Sequence, residues 1–211
     1  MTLQLWLSFT AATIVLLLIP GPTVLQCIGD ALQNRNRQRW STIAGVGAGD
    51  TIAMTLSLCG AGALLEVSSA AFTVLKSLGA LYLLYLGIRA ILTARLAHAQ
   101  DLRFAPLAKP ETALARFMKT TTITMLNPKG ILFFVAFVPQ FVSPRAAFVP
   151  QAALLLATFV FLAMLNAWMY MSLAGVLSSR LQTASAQRKV GYASGGVLLA
   201  AGGLTLALRR S

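Results

Sequence analysis

The chain has 211 residues, 57% of them hydrophobic and 10% charged, against roughly 25% charged in an ordinary soluble domain. That balance excludes a soluble domain of the usual kind. Lys and Arg number 17 and Asp and Glu 5, so the net charge of +12 reflects scarce acids as much as abundant bases. The basic clusters read as membrane flanks rather than as a nucleic-acid surface.

Uncharged stretches cover residues 1–29, 146–179 and 190–208, each at least as long as the roughly 18 residues that mark a spanning helix. About six spans of about 20 residues fill this length, giving one all-α transmembrane domain over residues 1–211. The first span, expected over about 3–32, has no basic residue ahead of it and no small-residue cleavage signature, so it reads as an uncleaved helix. Pro20-Gly21-Pro22 must divide it, because proline removes a backbone donor and clashes one turn back. A basic turn, Asn34 to Arg39, leads to a second span over about 42–65 whose one charge is Asp50, and residues 66–69 form a tight return.

The third span covers about 70–92 and is followed by a polar, cytoplasmic connection over about 93–116 that lacks long apolar periodicity. His98, the only histidine, falls in that connection. The fourth span, about 117–142, carries Asn127-Pro128-Lys129-Gly130 in its middle and Pro139 near its end. The fifth covers about 150–176, with Pro150 in its first turn, and the sixth about 190–208. Twelve of the Lys and Arg residues fall in the loops after the first, third and fifth spans or beside them, which places those loops in the cytoplasm and both termini outside. The terminal Arg209-Arg210 pair runs against this assignment.

The first and fourth spans open two successive three-helix halves, and each has a proline-centred break. A three-helix unit repeated in tandem enters the membrane in opposite orientations, and paired interrupted helices point to a midplane site in transporters. Non-helical backbone at that depth has to be buried or line a polar cavity. The bland alternative is that each proline only kinks its helix. Asp50 is the second anchor, because an intramembrane carboxylate is costly and persists where it is paired or functional. Gly47 shares its helical face, and Gly45 and Gly49 stand at GxxxG spacing, so another backbone can approach closely around the acid. A structural ion pair between Asp50 and Lys129 is the non-functional reading. Both readings bring Asp50 to the break in the fourth span.

One buried carboxylate, one buried ammonium, the freed groups of two breaks, and Asn127 and Asn166 suit a zwitterionic solute. If Asp50 changes protonation between access states, it couples export to proton entry. Trp168 and Tyr170 read as packing or interface anchors, and Gly191 with Gly195 as a packing or dimer seam. Cys27 and Cys59 stand in apolar stretches without ligand spacing and read as small buried apolar residues. No cofactor motif or metal-ligand cluster is visible, and an enzyme would need a nucleophile with a base.

Three segments resemble the lysine exporter and homoserine/threonine exporter family of small bacterial amino-acid efflux proteins. They are Pro20-Gly21-Pro22, Gly45-Val46-Gly47-Ala48-Gly49-Asp50, and Asn127-Pro128-Lys129 with the run to Phe137-Val138-Pro139-Gln140-Phe141. Gly79 to Gly87, with Tyr82 and Tyr85, adds a fourth. The resemblance implies a six-helix exporter of the bacterial inner membrane, driven by protons, with Pro20, Gly21, Pro22, Asp50, Asn127, Pro128 and Lys129 as signature positions. Thr23-Val24 departs from it, being less polar than in many relatives. The expected fold is two inverted three-helix repeats with broken first and fourth helices. The expected function is proton-coupled export of amino acids or related metabolites, with a channel or a membrane scaffold as the alternatives. A homodimer in the bilayer is permitted by the glycine-rich faces.

Overall fold

A computed structural model of the protein describes residues 1–34, 39–67, 111–143 and 146–174, together with individual helical positions between 74 and 95 and between 188 and 203. Every element among the described residues is helical. Helix α1 (Leu3–Leu18) starts at Thr2, whose hydroxyl accepts from the Leu5 N–H at 3.3 Å, satisfying one of the four donors a helix start leaves unpaired. It stops short of Pro20 because the residue before a proline is forced out of the helical region, and Ile19 is already extended, with φ −76° and ψ 114°. Helix α2 (Pro22–Asn34) takes Pro22 as its first residue, where the missing N–H costs nothing. The two axes meet at 56°.

Helix α3 (Arg39–Val67) is continuous and slightly longer at both ends than its sequence suggests, so Glu66 and Val67 continue the helix instead of opening a return. Helix α4 (Ala113–Met125) also starts early. The Thr112 hydroxyl caps it by accepting from the Ala115 N–H at 3.2 Å, which moves Arg116 out of the expected connection and into the buried helix. After Leu126 the chain breaks, and Asn127 caps α5 (Pro128–Ala136), again with proline first. The pair bends by 51°. A 3-10 turn at Val138–Phe141 marks the second weakness foreseen at Pro139, and α6 (Phe148–Ser172) follows. Gln151 fastens the loop between them. Its amide accepts from the Ser143 N–H at 2.9 Å and donates to the carbonyls of Ser143, Ala146 and Ala147.

The helices α3 and α6 are each long and apolar enough to cross a membrane, and each bent pair qualifies as one further span. Side-chain contacts give their directions. Trp6 donates to Thr158 and Tyr170 to the Leu18 carbonyl, so α1 and α6 run parallel. Phe9 meets Phe133 and Phe141, while Leu16 and Ile19 meet Lys129, so α1 and α5 run antiparallel with their breaks level. Glycine lets α3 press against α4: a Cβ added at Gly45 would lie 2.8 Å from the Phe117 carbonyl oxygen, and one at Gly49 would lie 2.7 Å from that of Thr121. The close approach expected around the GxxxG is therefore made by α4. A Cβ at Gly87 would lie 2.9 Å from the Gly195 carbonyl oxygen, so the segments expected to be the third and sixth spans touch through glycine. Gly79, Tyr82, His98, Gly191, the start of the third span and both ends of the sixth lie outside the described residues.

The core is an aromatic cluster. Phe134 and Phe159 pack edge to face at 4.7 Å, Phe9 and Phe141 at 5.4 Å, and Phe133 bridges them, geometries that add to plain burial. Cys27 belongs to this core as expected, but Cys59 is exposed on the outer face of α3.

Candidate functional site

A helix that ends inside a protein leaves four carbonyls without partners, and α1 ends there. Each of them finds a side chain. Lys129 Nζ donates to the Leu16 carbonyl at 3.1 Å and to that of Ile19 at 2.8 Å. Asn166 Nδ2 donates to the Leu17 carbonyl at 3.1 Å, and the Tyr170 hydroxyl to that of Leu18 at 2.8 Å. The end of the first half-helix is thus capped by α5 and α6, and the cation on α5 sits where the negative end of the α1 dipole favours it.

Asn127 joins the two breaks. Its Oδ1 accepts from the Lys129 N–H at 3.1 Å, capping α5, while its Nδ2 donates to Thr23 Oγ1 in the first turn of α2 at 3.2 Å. Two helix N-termini, with their unpaired N–H groups and positive dipole ends, therefore meet at one place. Between them and α3 lies a cavity of about 40 Å³, enough to hold water. Gly21, Asp50, Asn127, Lys129 and Asn166 all line it.

Of the residues singled out in the sequence, those five come together. Pro20, Pro22 and Pro128 do not line the cavity but set the breaks that open it. The expected meeting of Asp50 with the second break is observed, since Asp50 and Lys129 share the cavity. A direct ion pair between them is not formed among the described residues; two of the three Lys129 ammonium protons go to the α1 carbonyls. Opposite charges thus flank the space without cancelling in contact.

Two residues escaped the sequence reading. Tyr170, expected to be a packing or interface anchor, is a capping donor, and its position one turn after Asn166 on the same face was the available signal. Asp30 is buried, accepting from Thr42 Oγ1 at 2.7 Å and Gln26 Nε2 at 3.2 Å, so the interior holds a second acid besides Asp50. Its place near the basic turn concealed this. Tyr170→Phe should leave the Leu18 carbonyl without its donor and cost about 1 kcal/mol. The expected result is a melting temperature about 2–4 °C lower in detergent.

The family described as LysE type translocator matches residues 14–210. A leucine efflux protein of Klebsiella pneumoniae is 31% identical over 144 residues, which are 67% of this chain and 65% of that protein, just under two thirds of its length. A membrane protein of Vibrio cholerae is 30% identical over 96% of both chains. A homoserine/homoserine lactone efflux protein of Salmonella typhi is 28% identical over the full length of both. No solved structure matches.

Proposed function

We propose that this chain, which belongs to the LysE type translocator family, exports amino acids or closely related metabolites across the bacterial inner membrane by alternating access around the Asp50–Lys129 cavity. A translocator releases its solute chemically unchanged, so the chain is not an enzyme. The observation that carries the proposal is the joining of two antiparallel broken helices through Asn127 and Thr23, with a carboxylate and an ammonium on either side of the space. Helix N-termini and Lys129 attract a carboxylate, and Asp50 attracts an ammonium. A zwitterion satisfies both. The names of two relatives, a leucine and a homoserine efflux protein, support an amino-acid solute.

We further infer six spans in two inverted halves, with the breaks of α1–α2 and α4–α5 as corresponding positions. Antiparallel running of the two bent pairs, level at their breaks, supports that arrangement. A carboxylate at mid-span that is not held in a contact ion pair is suited to exchange a proton as the solute leaves.

Vesicles loaded with a labelled amino-acid panel test the reading. The unaltered protein is expected to release at least one member faster when a pH gradient is imposed, and Asp50→Asn at equal abundance is expected to lose that acceleration. Release that ignores the gradient would replace antiport with a channel. No release of any panel member would overturn the amino-acid assignment.

A further inference from the structure

A line of polar side chains runs from the cavity to one end of the bundle, and nothing in the export reading accounts for it. Arg116, Thr120 and Thr124 follow at one-turn intervals on the inner face of α4, and all three are buried, Arg116 being only 2% exposed. At 1.5 Å per residue the line from Arg116 to Asn127 is about 16 Å long. Asp30 and Thr42, hydrogen-bonded to each other at 2.7 Å, stand at its far end. Their level follows from the register of α3 on α4: Gly45 meets Phe117 and Thr120, and Gly49 meets Thr121 and Thr124, which places Thr42 beside Arg116.

The donors along this line are not satisfied. Arg116 Nε and the hydroxyls of Thr120, Thr121 and Thr124 are buried without a hydrogen-bond partner among the described residues. One further threonine hydroxyl, that of Thr13 on α1, is buried without a partner among the described residues, but other threonines of this protein are satisfied within their own helix. Thr10, Thr51, Thr122 and Thr158 each donate to the carbonyl four residues back, at 2.7–3.0 Å. A buried donor without a partner costs about 1–3 kcal/mol, so several in one line, with a guanidinium among them, ask for a ligand or water in some state of the protein. On the other side of the cavity stand Phe133, Phe137 and Phe141, where the Thr13 hydroxyl of α1 is, among the described residues, a single unpartnered donor rather than part of a line.

We propose that the seam between α4 and the α2–α3 pair opens as the loop-side half of the solute path, and that Arg116 receives the carboxylate of the incoming solute at its mouth, with Asp30 and Thr42 opposite. This rests on the export reading for the solute, but not for the seam or its charge. Arg116 is suited to the task because its fork of donors matches a carboxylate bidentately. The glycines of α3 leave a smooth face from which α4 can separate without side chains interlocking.

The test is charge-selective thiol labelling of Thr124→Cys in a Cys27→Ala, Cys59→Ala background, in vesicles of both orientations. An Ala113→Cys variant, on the exposed first turn of α4, marks the loop side. An anionic and a cationic methanethiosulfonate of similar size are applied. From the side that labels Ala113→Cys, both reagents are expected to reach Thr124→Cys, the anionic one faster. Adding Arg116→Gln should slow the anionic reagent on the order of 10-fold, the scale of electrostatic focusing in a narrow cleft, without slowing the cationic one; Arg116→Lys should keep the preference. If the glutamine variant does not accumulate, Arg116→Met makes the same comparison. No labelling of Thr124→Cys or Thr120→Cys from that side would overturn the path, and a charge preference indifferent to Arg116 would overturn its role. Protection by amino acids separates the two readings. An Arg116-dependent preference that no panel amino acid suppresses keeps the seam and rejects the amino-acid solute.

Discussion

Gly49→Val is expected to abolish accumulation of the folded protein. A Cβ at Gly49 would lie 2.7 Å from both the Thr121 carbonyl oxygen and Thr124 Cβ, and 3.0 Å from the Met125 backbone nitrogen. Backbone cannot step aside as the end of a flexible side chain can, so α4 as a whole must move. Overpacking of this kind costs about 1–3 kcal/mol and more where a helix is displaced, and two branched methyls compound it. Gly49→Ala should already lower the melting temperature in detergent. Gly60→Ala is the control, since nothing lies within 4 Å of its added Cβ, and it should melt at or slightly above the temperature of the unaltered protein, alanine being the better helix former. Equal melting of the Gly49 and Gly60 variants would show that α3 and α4 are not in close contact.

Lys129→Met carries the second large effect, and it acts on two properties at once. The substitution removes the ammonium donor to the Leu16 and Ile19 carbonyls; the Leu16 carbonyl keeps the Ile19 N–H at 3.2 Å, so the Ile19 carbonyl is the acceptor that loses its donor, at about 1–3 kcal/mol. It also leaves Asp50 as the uncompensated charge of the cavity, and a buried charge stripped of its partner is strongly destabilising. Melting temperature and abundance should both fall. Efflux per folded molecule should drop on the order of 100-fold, equivalent to about 2.7 kcal/mol in the barrier.

A double-variant cycle divides these causes. Adding Asp50→Asn to Lys129→Met should recover part of the stability, because the isolated charge is gone, and none of the gradient-driven efflux. Stability unchanged by the second substitution would mean that the carbonyl caps account for the whole loss. The efflux reading itself depends on the vesicle experiment with Asp50→Asn.

The amino-acid sequence by itself determined where the helices must break. Proline acts on its own neighbours, through a missing donor and a clash one turn back, so Pro20, Pro22, Pro128 and Pro139 mark the breaks without reference to the rest of the chain. The apolar lengths and the scarcity of acids likewise follow from composition. The motif order of Pro20 to Asp50 and Asn127 to Lys129 was enough to carry the family resemblance.

The tertiary structure alone decided what those residues touch. Nothing local tells that Lys129 donates to carbonyls 110 and 113 residues away, or that Asn127 reaches Thr23 across 104. From sequence, an ion pair between Lys129 and Asp50 stood only as the non-functional alternative, and the partners Lys129 does take were out of sight, because the carbonyls at the end of α1 are invisible until the break is placed against α5. Arg116 and Asp30 were misjudged for a related reason. Arg116 closes the expected polar connection, Asp30 stands two residues from the end of the expected first span beside the basic turn, and each is buried because α2, α3 and α4 converge there. Periodicity reports the cost of exposing a side chain along one helix. Which neighbour relieves that cost is fixed only when the helices pack.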